Sequence, residues 1–222
     1  MSTTLAPSAT VTTRDLKGLK FVSIVEAPYN KARLTEKEAQ RVNDAPGLGG
    51  LITSFIEEHR HEKPPLLKRT GTPVQAPATA EVVLTKELLK KEYNIGWTGD
   101  NFAKLFLGKQ LKAAPQGAVA FSILQQDSLD KPILDELGEK AVTPLGRLLW
   151  HVKQQFKGQE GHLLVNGRTN IVYVEVEDEG KITLWAMNAY WSSRYGYWDV
   201  AADSVEDPSE QRAGVQVLSR DC

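Results

Sequence analysis

The residues best able to do chemistry by type and spacing are aromatic. Trp185, Tyr190, Trp191, Tyr195, Tyr197 and Trp198 crowd into the stretch 185–198. Exposed rings of this kind make flat platforms for a sugar, a base or a protein partner, and buried ones fill a sheet core. Strand alternation puts Trp185, Met187, Ala189 and Trp191 on one side and Leu184, Ala186, Asn188 and Tyr190 on the other. Both sets are largely apolar, so the strand is expected to be covered on both faces. A recognition surface is therefore expected just past it, at Tyr195, Tyr197 and Trp198 with Trp191 beside them, around Gly196.

A second pattern is basic. Lys86, Lys90, Lys91, Lys104, Lys109 and Lys112 outnumber Glu87, Glu92 and Asp100 across a helix–turn–helix pattern at 84–112. A basic second helix can enter a major groove, which makes Lys90, Lys91, Lys104 and Lys109 the alternative nucleic-acid contacts. The turn Asn94-Ile95-Gly96-Trp97-Thr98-Gly99 is longer than such motifs use. The second helix also lacks an arginine or glutamine ladder for base edges. Two packed helices with a solvated lysine face is the plainer reading.

A third pattern is His162 with Asn188. Gly161-His162 leading into an apolar run, followed by Trp185-Ala186-Met187-Asn188-Ala189-Tyr190-Trp191, resembles the histidine and asparagine strands of papain-like thiol peptidases over some thirty residues. That chemistry needs a thiolate. The single cysteine, Cys222, follows both residues in the chain. Thiol-protease activity is rejected, and a hydrolase centred on His162 and Asn188 is kept as a further alternative.

No metal site and no cofactor are expected. His59 and His61 do not share a helix face, and no further ligand is near in sequence. Gly47-Leu48-Gly49-Gly50 precedes a helix but lacks the lysine and hydroxyl of a phosphate loop. The acidic run Glu175, Glu177, Asp178 and Glu179 reads as a soluble hairpin tip.

The elements that must position these residues are α+β. Residues 1–13 read as a mobile arm, and 14–60 as a small α/β segment. In that segment a strand at Leu19–Val25 is ended by Pro28. A helix follows the capping box Thr35–Glu38, and another has Leu48, Leu51, Ile52, Phe55 and Ile56 at helical spacing. Residues 61–80 carry Pro64, Pro65, Pro73 and Pro77 and read as a proline-rich linker. The main α+β domain, 81–222, is expected to pack its helices on a mainly antiparallel C-terminal β-meander of about five strands, at 161–219. Leu145, Leu148, Leu149, Val152 and Phe156 define its clearest amphipathic helix, opened by Thr143-Pro144. Gly161–Val165 and Asn170–Val176 are expected to flank a hairpin turn at Asn166-Gly167.

Bulk numbers agree with a folded chain and exclude several classes. Of 222 residues, 41% are hydrophobic and 25% charged, which is enough to build a core. A net charge of -1 excludes a global field for nucleic acid or an anionic membrane. One cysteine allows no internal disulfide, and no apolar run is long enough to span a bilayer, so a cytoplasmic chain without membrane contact is expected. These readings favour a non-catalytic protein-binding or self-associating protein over a nucleic-acid-binding protein or a hydrolase.

Overall fold

The run Leu19–Val25 is helical, not a strand. It lies inside α1 (Leu16–Lys31), with Pro28 in the last turn. A short β-branched run suits either state; among the described residues before position 60 no strand exists for it to pair with. The computed structural model describes residues 16–45, 47–59, 64–178, 180–207 and 210–221. The expected arm at 1–13 and Cys222 lie outside them. α2 (Glu36–Asn43) starts at the predicted box, where the Glu38 carboxylate accepts from the Thr35 amide (2.9 Å) and hydroxyl (2.7 Å). α3 (Leu48–His59) follows. These helices form one unit and the residues from Pro64 onward a second.

The second unit is built on a seven-stranded sheet. Its elements, in chain order, are β1 (Leu67–Ala76), β2 (Val82–Val83), α4 (Lys86–Tyr93), β3 (Ile95–Thr98), α5 (Asp100–Phe106), β4 (Gln110–Leu111), β5 (Gly117–Leu124), β6 (Ser128–Leu129), α6 (Asp130–Leu137), α7 (Leu145–Gln154), β7 (Asn170–Asp178), β8 (Lys181–Ser192), β9 (Tyr197–Ser204), β10 (Glu210–Gln211) and β11 (Gln216–Asp221). The order across the sheet is β1-β5-β11-β7-β8-β9-β3. Pairing is mostly antiparallel; β11 with β7 and β3 with β9 are the parallel exceptions. The class is α+β, as the patterning implied.

Three expectations are corrected. Residues 67–76 of the expected linker form an edge strand paired with β5. Pro73 falls in the irregularity between Thr70 and Val74, where a missing amide costs no ladder bond. The expected strand Gly161–Val165 is absent. Its backbone is held by two buried amides: Gln155 donates to Leu163 O (3.0 Å) and accepts from Leu163 N (2.7 Å), and Asn170 does the same for Leu164 (3.0 and 2.8 Å). The meander β7-β8-β9 exists, but β11 leaves it and inserts between β5 and β7.

Both sheet faces are covered. One face packs Val172, Met187, Trp191, Trp198 and Leu218 against α7, whose Leu145, Leu148, Leu149 and Val152 are all buried. The other packs Ile171, Tyr173, Ala186 and Val217 against Ile133 of α6.

Candidate functional site

The aromatic stretch divides between core and surface. Trp198 is fully buried. Its indole N–H donates to Gln155 O (3.0 Å), and its ring meets Trp191 edge-on at 5.6 Å. Trp191 is buried too, and lies against Gly158, whose φ of +64° already restricts that position to glycine. Both tryptophans therefore leave the expected surface. The physical reason is register: Trp198 pairs with Trp191 on one side and Ile95 on the other, all facing α7.

The opposite parity points outward. Tyr195 is 59% exposed and stacks on half-buried Tyr197, with centroids 5.5 Å apart and planes 10° apart. The turn that presents them is closed by amides of Tyr195 and Gly196 donating to Ser192 O (3.1 and 2.8 Å), with Gly196 at φ +70°. Beneath Tyr197 lies Gly96, where any Cβ would overlap the ring. A bulge in β3 at this point sets Trp97 opposite Asp199, and Asp199 is also opposite Tyr190. Trp97 and Tyr190 are exposed. The Tyr190 hydroxyl bonds buried Asp199, and that bond with the carboxylate's charge pushes the phenol pKa up. Arg194 sits over Tyr195 at 5.3 Å, a cation–π contact. The patch is thus four rings: Trp97, Tyr190, Tyr195 and Tyr197. Trp97 and Tyr190 belong to it through long-range pairing of β3, β9 and β8, which leaves no periodic trace in sequence.

The helix–turn–helix pattern expected at 84–112 does not form. The expected turn between the two helices is β3, a strand of the main sheet. α5 is seven residues long and buries Phe102, Leu105 and Phe106. Gly99 is its N-cap residue. Lys90 and Lys91 are exposed on α4 and Lys104 on α5. Lys109 lines a cleft of about 400 Å³ together with Leu105, Phe106 and Val174. Lys112 and Glu177, which also line that cleft, form an ion pair (2.9 Å).

His162 and Asn188 are not brought together. His162 stacks on Phe121 at 5.6 Å, on the α7 face. Asn188 pairs with Ile171 on the α6 face, and its amide donates to Asp203 (2.6 Å). The sheet separates them. Neither lines the cleft beside Lys109.

Two buried titratable sites carry no sequence signal. His151 is fully buried among Phe121, Trp150 and His162, and neither ring nitrogen has a partner. Burial, with His162 adding to it, lowers its pKa to about 4. Asp130 accepts from Tyr173 (2.8 Å) and Gln211 (3.1 Å) through Oδ1, while Oδ2 has no partner. Burial pushes its pKa up, against those two hydrogen bonds. Among the described residues no group of three or more His, Cys, Asp or Glu is placed to hold a metal. No helix among them is long and apolar enough to cross a membrane. No known protein family, curated protein or solved structure is detectably similar to the chain.

Proposed function

We propose that the chain is a non-catalytic binding protein that recognises a protein partner through the patch of Tyr195, Tyr197, Trp97 and Tyr190. The observation that carries this reading is the exposed Tyr195–Tyr197 stack backed by Gly96. A ring pair already fixed in place loses little side-chain entropy on binding, and aromatic side chains dominate the energy of protein interfaces. Exposed Arg194 at its border suits the polar rim of such an interface.

The test places a photo-crosslinking residue at position 193 and compares wild type with Tyr195→Ala and Tyr195→Phe. The adduct formed by wild type should persist with Phe and be lost with Ala, and the purified adduct partner should then bind wild type about 10-fold or more tighter than Ala. Equal crosslinking and equal affinity across the three chains would refute the assignment.

A further inference from the structure

We propose that the cleft lined by Leu105 and Val174 binds a neutral, mostly apolar small molecule of roughly 10–16 non-hydrogen atoms that carries one hydroxyl or carbonyl group. Every residue that lines it belongs to the unit from Pro64 onward. The site is therefore complete within that unit.

Size and lining set the body of the ligand. The cleft holds about 400 Å³, within the range of small-molecule sites; a cavity of about 150 Å³ takes a benzene ring. Its walls come from Leu105 and Phe106 of α5, Leu111 of β4, Leu145 of α7, and Val174 and Val176 of β7. All but Leu111 are buried, so core packing fixes the walls.

One polar group sets the head of the ligand. Thr143 lines the cleft, is 0% exposed, and its hydroxyl has no hydrogen-bond partner among the described residues. Such a group is costly to leave unpaired. A threonine just ahead of a helix ordinarily caps it, but Pro144 is the N-cap residue of α7 and no side chain caps that helix. The Thr143 backbone is pinned instead to the sheet: its amide donates to Tyr173 O (2.8 Å), next to the bridge between Val142 and Tyr173. As donor and acceptor in one, the hydroxyl can pair with a ligand hydroxyl or carbonyl.

Charge disfavours an ionised ligand. Lys109 and Lys112 line the cleft with Glu175 and Glu177, two of each sign, and Lys112 pairs with Glu177 at 2.9 Å. The lining has no excess charge to offset the cost of burying an ion. The site is separate from the aromatic patch, none of whose four rings lines it.

The test is calorimetric titration of the full chain with 2-naphthol at about pH 7, where its phenol is neutral. Wild type should bind with a Kd below about 1 mM. Thr143→Val should weaken binding about 5-fold or more. That variant should melt no lower than wild type, because the change removes an unpartnered buried hydroxyl. Thr143→Ser, which keeps the hydroxyl, should stay within about 2-fold of wild type. Leu111→Trp should abolish binding by filling the cleft. 2-Naphthoate, similar in shape but charged, should bind about 10-fold more weakly than 2-naphthol. Tyr195→Ala should bind as wild type does. Absence of binding by wild type would overturn the inference. So would equal affinity of wild type and Thr143→Val, tighter binding of 2-naphthoate, or loss of binding in Tyr195→Ala.

Discussion

The Tyr197 ring lies flat on the backbone of Gly96, and this contact sets the height at which Tyr195 stands above the sheet. Gly96→Ala forces a methyl group into the ring. The variant should lose about 1–3 kcal/mol of stability and lose partner capture along with Tyr195→Ala. Urea titration followed by tryptophan fluorescence measures the first, and the crosslinking yield measures the second. Unchanged values in both would remove Gly96 from its supporting role.

Trp198 and Tyr195 sit three residues apart and should behave as opposites. Trp198→Ala empties a fully buried site and removes the bond to Gln155 O. It should cost about 3–5 kcal/mol. Tyr195→Ala should change stability by less than about 0.5 kcal/mol. A thermal melt of the two variants side by side distinguishes core from surface.

His151 should make the protein acid-sensitive. Its folded pKa is about 4 against an ordinary 6.5, so the unfolded chain binds its proton more readily. Stability from this group is complete above pH 6.5 and is lost as pH falls toward 4, by about 3 kcal/mol in all. Asp130 and Asp203, whose pKa values are raised, slope the other way above pH 3.8. The difference between wild type and His151→Phe isolates the histidine. In denaturant titrations from pH 4 to 7 the stability of wild type relative to the variant should fall as pH falls, and parallel curves would exclude the effect.

Asp130 and Tyr173 should respond unequally to neutral substitutions. Asp130→Asn keeps an oxygen to accept from Tyr173 and Gln211 and removes a charge that burial disfavours. It should stay within about 1 kcal/mol of wild type at pH 7. Tyr173→Phe deletes the donor and should cost about 1–2 kcal/mol. The reverse order in chemical denaturation would mean that the carboxylate is charged and essential to the fold.

Local signals in the sequence held for several elements but not for Leu19–Val25, a short β-branched run that suits either state and is helical. The stripe of α7 faces the core, the Thr35–Glu38 box starts α2, and the Asp178–Lys181 segment joins β7 to β8. The rest of what escaped was long-range. Ile95–Thr98 reads as a glycine-rich turn because its partner, β9, is a hundred residues away. Asn166-Gly167 carries a hairpin dipeptide, yet Gln155 and Asn170 side chains take the hydrogen bonds that a strand at 161–165 would need. Proline marks 61–80 as a linker only if the bulge that accommodates Pro73 is unknown. The candidate site shared this fate: Tyr195 and Tyr197 were visible as a cluster, while Trp97 joins them only through the sheet.

β11 also has a consequence for how the protein is made. It is the seam between β1-β5 on one side and β7-β8-β9-β3 on the other, two blocks that share no other hydrogen-bonded edge. A ribosome delivers residues 216–221 after every other strand of that sheet. The sheet therefore keeps an open slot between β5 and β7 until residues 216–221 have emerged. Until then the slot is a template for any strand of matching pattern, which makes this six-residue segment the natural place to look for strand exchange between neighbouring chains during synthesis.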